Sequence, residues 1–236
     1  MKKIILSALM ASALIAGEDG FDLAPTPVSQ SEVEEGKTEN MFRATVINSS
    51  VDIGDDSFDI TGFGAQFAKK DGRSGGALNK SGSIMSLSGS SADLDTTLVS
   101  ANAALLWENY NKTLDGSRFT VFYGGDFTYT YANAYNDDFE IDMYMMLYGG
   151  TLGIQFNIET PGTVISPFAV AKYLFGSYEA DIYTTGYTNV SDDIDPMLTQ
   201  SFGFDVYLKS VGSTLSAMVK NDSASTTTMV SYAWFW

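Results

Sequence analysis

From residue 57 onward, apolar and polar positions alternate with a period of two. That is the spacing at which successive side chains of a strand leave opposite faces. In "RFTVFYGGDFTYTY" one face carries Phe119, Val121, Tyr123, Phe127, Tyr129 and Tyr131, and the other carries Arg118, Thr120, Phe122, Asp126, Thr128 and Thr130. "YMMLYGGTLGIQFNI", "TVISPFAVAKYLFGS", "SFGFDVYLK" and "TLSAMVK" repeat the pattern, and "FDITGFGAQFA" and "TLVSANAALLWE" precede it. The chain closes on "MVSYAWFW", where Val230, Tyr232, Trp234 and Trp236 share one side and Phe235 is the exception on the other. Alternation sustained this long predicts strands, here eight, and not helices.

Several of these segments run past ten residues. A globular strand averages about five or six, whereas a strand that crosses a membrane needs about 9–11. The connections are uneven. "ETPGT" and "SVGS" are tight turns, while 132–142 and 179–198 are longer and acidic and 69–95 is long and rich in Gly and Ser. Short turns at one end and longer loops at the other is the asymmetry of a membrane barrel. The loops at 69–95, 132–142 and 179–198 are expected to face the exterior, and both termini the periplasmic side. Residues 41–53 fit a strand or a short helix; if they join the sheet, the count becomes ten, which needs one further strand that the pattern does not reveal.

The first residues, "MKKIILSALMASALIAGEDGF", place Lys2 and Lys3 before a short apolar stretch and small residues. This is the layout of a secretory signal peptide, expected over 1–17 with cleavage between 13 and 17. Residues 18–55, with Pro25, Pro27 and "SEVEEGKTEN", are expected to form an acidic, partly disordered leader. The barrel is then expected over 56–236. The formal charge of −16 becomes −18 once Lys2 and Lys3 are removed, an acidity that argues against nucleic acid. After the signal peptide no apolar run reaches the length of about 20 residues that a membrane helix needs. There is no cysteine and no histidine. Disulfides, Ser–His catalysis and His- or Cys-ligated metal sites are therefore unavailable.

Alternation alone does not say whether the apolar face meets a core or lipid. Three features favour lipid: aromatic residues near strand ends, polar faces poor in the charges that blunt soluble sheets, and an exported chain that ends in an aromatic. On these residues the chain resembles the bacterial outer-membrane β-barrel superfamily, the small OmpA/OmpX-type barrels in particular. Val230, Tyr232, Trp234 and Trp236 resemble the C-terminal signal read by the barrel-assembly machinery, with Trp in place of the usual terminal Phe. The resemblance implies an all-β, antiparallel, up-and-down transmembrane β-barrel of eight strands, or ten, in the bacterial outer membrane after export through the periplasm. Outer-membrane lipid, lipopolysaccharide and the assembly machinery are the implied partners.

In such a barrel the inward charges are Glu108, Arg118, Asp126, Lys172, Asp205, Lys209 and Lys220. A narrow barrel is filled by its own side chains, and buried charges must pair. Lys172 and Asp205 are expected to bridge, with Asp126 and Arg118 in a wider network. The row reads as a structural plug, or alternatively as a narrow ion path. Asp137, Asp138, Glu140, Asp192, Asp193 and Asp195 lack the calcium-loop spacing and read as solvated loop acids, so no metal or other cofactor is expected. Lys69, Lys70, Arg73 and Lys80 read as loop residues or as contacts to lipopolysaccharide phosphates. No catalytic pair stands out, and no enzyme activity is expected. The expected function is that of an outer-membrane barrel with a structural or surface-interaction role. A narrow porin and a secreted soluble β-sandwich or adhesin module are the alternatives.

Overall fold

A computed structural model describes residues 33–53, 56–91, 94–112, 117–221 and 225–236. The expected signal peptide and the first part of the leader lie outside the described residues. Ten strands follow one another: β1 (Thr38–Ile53), β2 (Asp56–Arg73), β3 (Gly76–Ser91), β4 (Leu94–Lys112), β5 (Arg118–Tyr135), β6 (Glu140–Glu159), β7 (Thr163–Tyr183), β8 (Tyr187–Leu208), β9 (Ser213–Asn221) and β10 (Ser225–Phe235). Each pairs antiparallel with its sequence neighbours, and β1 closes the ring on β10 from Met41↔Phe235 to Val51↔Ser225.

The count is the larger of the two the sequence allowed. Of the two strands the alternation did not reveal, one is β1, inside the segment read as leader. The barrel therefore starts at Thr38 and not at residue 56; 38–53 pairs with β2, and 41–51 also with β10. The other is β3, inside the segment read as the exterior loop 69–95. Its inward positions include Ala77, Asn79, Met85 and Leu87, and its outward ones Lys80, Gly82, Ile84, Ser86 and Ser88. Small and polar residues occupy both faces, so the period of two has almost no hydropathy contrast there. A two-residue turn with Gly75 at φ 75° joins β2 to β3, a left-handed conformation suited to glycine.

That turn sits at the near end of the barrel, with Thr38, Phe235 and the turns at 160–162 and 209–212. The segments 132–142 and 179–198 are not long loops. They continue β5–β8 as strands, joined by short turns at 136–139 and 184–186. Unequal strand length replaces unequal loop length: β6, β7 and β8 have 20, 21 and 22 residues, β9 and β10 only 9 and 11. One side of the barrel is a tall wall and the other a low rim. Between Leu174 and Gly176 the register shifts, Asp195 and Pro196 of β8 standing opposite Phe175 alone; this bulge in β8 marks the foot of the wall, where the extra residue adds local twist.

The faces are inverted relative to a soluble protein. Outward positions carry large apolar side chains, among them Phe63 (71% exposed), Leu152 (58%), Val230 (55%) and Trp236 (61%). So large a continuous apolar exterior has no place in water. Inward positions are filled. At the far end Ile60, Leu87, Leu98, Met143 and Leu147 are essentially inaccessible, and they belong to one cluster that reaches down to Phe122 and Phe168. Two inward rings stand where a neighbour has no side chain. A Cβ on Gly153 would come within 1.9 Å of Phe122 Cζ, and one on Gly203 within 2.5 Å of Phe168 Cζ.

Phe122 is 1% exposed, so its ring has nowhere to retreat. Gly153→Ala is expected to destabilise the barrel by about 1–3 kcal/mol, the usual cost of overpacking. Phe122→Leu in the same chain should recover part of the loss. Urea unfolding of the refolded protein in micelles, followed by tryptophan fluorescence, measures both.

Candidate functional site: the barrel interior and the far wall

Alternate residues of every strand project inward, so charges far apart in sequence meet inside the barrel. In β2 and β4, Lys70 Nζ donates to Glu108 Oε2 at 2.9 Å, and Asn79 of β3 donates to Oε1 at 3.4 Å. In β5–β7, Lys172 Nζ donates to Asp126 Oδ2 at 2.7 Å, and Thr151 Oγ1 donates to the same oxygen at 2.9 Å. Both ion pairs have side chains no more than 5% exposed. Asp205 of β8 accepts from Gln155 Nε2 at 3.2 Å, and Arg43 of β1 supplies the opposing charge. Arg118 is buried at the near end, 5.8 Å from the centre of the Tyr110 ring, and Lys220 is buried on β9.

The structure thus places Glu108, Arg118, Asp126, Lys172, Asp205 and Lys220 inside. Lys209 is not there. β8 ends at Leu208, so Lys209 starts an exposed turn, donates to the Thr160 carbonyl at 2.8 Å and lies 3.6 Å from Glu159. The expected Lys172–Asp205 bridge is also overturned. The register sets Lys172 opposite Thr199 and Asp205 opposite Ser166, which separates them by roughly 20 Å along the strands at about 3.3 Å per residue. Lys172 pairs with Asp126 two strands away. Sequence reasoning missed Lys70 and Arg43 because they lie on the end of β2 and on β1, segments with no legible alternation partner. A lone cation between apolar neighbours, as in "MFRATVI", was the available signal.

Lys69, Arg73 and Lys80 belong to strands at the near end. Lys69 and Lys80 each lie 3.5 Å from Asp71, and Arg73 stands 5.4 Å from the centre of the Trp107 ring. They do not form an exterior loop. Val230, Tyr232, Trp234 and Trp236 line the outside of β10. Trp234 contacts Phe42 and Tyr232 with ring centres 5.8 and 4.5 Å apart, and Phe67 lies 5.9 Å from Trp236. Phe235, the exception in the series, packs inward against Met41, Ala68 and Ala233.

Above the apolar band, the outside of the wall changes character. Asn133, Asp142, Asp181 and Asn189 line up across β5–β8. Asn189 and the Tyr187 hydroxyl donate to Asp181 at 2.8 and 2.7 Å and hold its carboxyl below the usual range. Asp137 and Asp138 lie in the turn between β5 and β6, Glu140 opens β6, and Asp192, Asp193 and Asp195 lie on β8. Those last three were expected in a loop.

A closed antiparallel ring, apolar outside and polar within, is the fold of bacterial outer-membrane β-barrels. Closure into one ring also replaces the alternative of a soluble sandwich. No protein-family model matches the chain, and no curated protein sequence matches it significantly. By structure it is similar to the transport unit of the autotransporter AIDA-I from Escherichia coli, with a TM-score of 0.51 and 10% identity over 96% of this chain and 97% of that one. It is also similar to the translocator domain of the autotransporter NalP from Neisseria meningitidis, with a TM-score of 0.52 and 8% identity over 99% and 96%. At such identities the likeness is one of fold.

Lys172→Met strands the Asp126 carboxylate in the lumen. It should cost about 3–5 kcal/mol, as breaking a buried pair does, whereas Lys172→Met with Asp126→Leu should recover most of that. Equilibrium unfolding of the three proteins in the same detergent gives the comparison.

Proposed function

We propose that the chain is an integral outer-membrane β-barrel with a shut interior, whose role is structural or lies in contacts made by the wall formed by β5–β8. The observation that carries this reading is the filled lumen. An ion crossing it would meet the apolar cluster of Ile60, Leu87, Leu98, Met143 and Leu147 at the far end. It would then have to displace the Lys172–Asp126 and Lys70–Glu108 pairs. Side chains that fill a narrow barrel and neutralise one another describe a plug.

In this reading the near end faces the periplasm, the apolar band meets lipid, and the far wall stands outside the cell. The stripe of Val230, Tyr232, Trp234 and Trp236 serves twice, as lipid-facing surface and as the address read by the assembly machinery during export. The reading assigns no catalytic step, since the general bases and thiol nucleophiles of histidine and cysteine chemistry are missing from the sequence. The narrow-channel reading rests on the same inward charges.

Two measurements separate these readings. The refolded protein, with barrel-like heat-modifiable migration on a gel, is expected to stay electrically silent in a planar bilayer. Steady conductance that changes in Lys172→Ala would make the charged row a path and overturn the plug. The chain has no native cysteine, so a single Asn189→Cys reports topology cleanly. A membrane-impermeant maleimide should label it on intact cells, and failure to label would remove the wall from the exterior.

A further inference from the structure

Close to the end of β2 the segment "FAKKDGR" sends Phe67, Lys69, Asp71 and Arg73 outward and Lys70 inward. On β3, Lys80 also points outward, and it stands directly opposite Lys69. Like charges opposed across a strand pair repel. Asp71 lies 3.5 Å from each lysine, so one carboxylate serves two ammonium groups. Arg73 stands 5.4 Å from the centre of the Trp107 ring, on the same outer face. Three cations against one carboxylate leave the patch with a net charge of +2. The other cations near this end are neutralised or enclosed. Lys37 and Lys209, outside the strands, each lie beside a glutamate, and Lys70 and Arg118 are buried.

The apolar band begins at the lysines. Phe67 is the next outward residue beyond Lys69, and Leu105 stands opposite Lys80; both are half exposed. Along β3 the next outward residue beyond Lys80 is Gly82, which faces Phe67 on β2 and Ala103 on β4. Ala103 in turn faces Phe127 on β5. A Cβ added to Gly82 would meet nothing closer than the Asn102 carbonyl, 3.7 Å away. Two neighbouring positions without a large side chain thus leave an open furrow in the apolar surface. Phe67 and Phe127 wall it, and it runs from the lysines into the band.

An occupant must bring negative charge to the lysines and an apolar chain to the furrow. A soluble anion meets only the first demand. A zwitterionic lipid adds an ammonium group of its own and leaves the excess charge in place. An anionic phospholipid meets both, and a basic cluster at the edge of the hydrocarbon layer attracts its phosphate. The lysine stems can lie along the apolar surface while their ammonium groups reach the headgroup level.

We infer that Lys69, Lys80 and Arg73 hold the headgroup phosphate of an anionic phospholipid in the leaflet at the near end, with an acyl chain in the furrow over Gly82 and Ala103. That this leaflet is the periplasmic one rests on the orientation proposed above. The phosphate joins Asp71 between the two lysines and offsets the repulsion that a single carboxylate leaves.

Trp107, Trp234 and Trp236 are the three tryptophans of the chain, and all lie at the near end. Their quenching by brominated lipid therefore reports which lipid sits beside the patch. The full chain is refolded in bilayers that mix phosphatidylcholine with phosphatidylglycerol, with one or the other lipid brominated. Phosphatidylglycerol is expected to bind about fivefold more strongly, the effect of one cation near a headgroup. Lys69→Gln with Lys80→Gln should bring the ratio close to one. Asp71→Asn, which removes the competing carboxylate, should raise it, a gain that a merely structural lysine pair does not produce. Heat-modifiable migration on a gel shows that each variant has folded. Equal quenching by the two lipids, a ratio unchanged in the double variant, or loss of the preference on adding millimolar inorganic phosphate would each overturn the inference. Equal quenching together with labelling of Asn189→Cys on intact cells would sink this inference and leave the orientation standing. A preference without that labelling would keep the lipid site and move it to the outer leaflet.

Discussion

Every backbone N–H and C=O in a hydrocarbon layer must find a partner within the protein, because no water is there to supply one. The pairing of β1 with β10 meets that condition. Eleven residues of β1, Met41 to Val51, face Phe235 to Ser225, and once they do the sheet has no edge within the apolar band. Much else follows from closure. The strands must tilt, alternate residues must point into a narrow lumen, and the lumen must be filled by whatever the strands bring to it.

What they bring is layered. The far end is apolar, and below it charges recur in sets that neutralise one another: Lys172 with Asp126 and Thr151, Asp205 with Arg43 and Gln155, Lys70 with Glu108 and Asn79. Each set joins strands that are not all sequence neighbours. Such contacts link strands two or three places apart around the ring and so fix its local curvature. The glycines opposite Phe122 and Phe168 serve the same end by letting large rings lie against the wall without lifting a strand. A buried pair is a weak source of net stability but a strong source of specificity, because each alternative register leaves a charge alone.

The condition that forces closure lapses beyond the apolar band. There the wall can carry an unpaired edge, since water or another chain can satisfy it. β8 does this above Gln200, and the acids and proline on it are the features by which exposed edges avoid indiscriminate pairing. The contrast between a sealed ring below and an open sheet above separates the part of the molecule that holds its shape from the part available for contact.

The sequence by itself determined the alternation of faces, and with it the strand assignment of β2 and β4–β10 and the inward position of Glu108, Arg118, Asp126, Lys172, Asp205 and Lys220. Period-two patterning is local: a strand's two faces can be read from its own residues when those residues differ in hydropathy. Where they do not differ, as in the Ser- and Gly-rich β3, or where the strand sits in an acidic, Pro-containing stretch, as β1 does, the signal vanishes. Only pairing with neighbours then reveals the strand. The strand count, the partner of each buried charge, the placement of Lys209 outside and the open edge of β8 were decided by the tertiary structure alone. All four depend on register accumulated around a closed ring, a sum of non-local pairings that no single segment encodes. Lys172 meets Asp126 and not Asp205 for that reason: the tilt and stagger of three consecutive strands set which inward residues share a level.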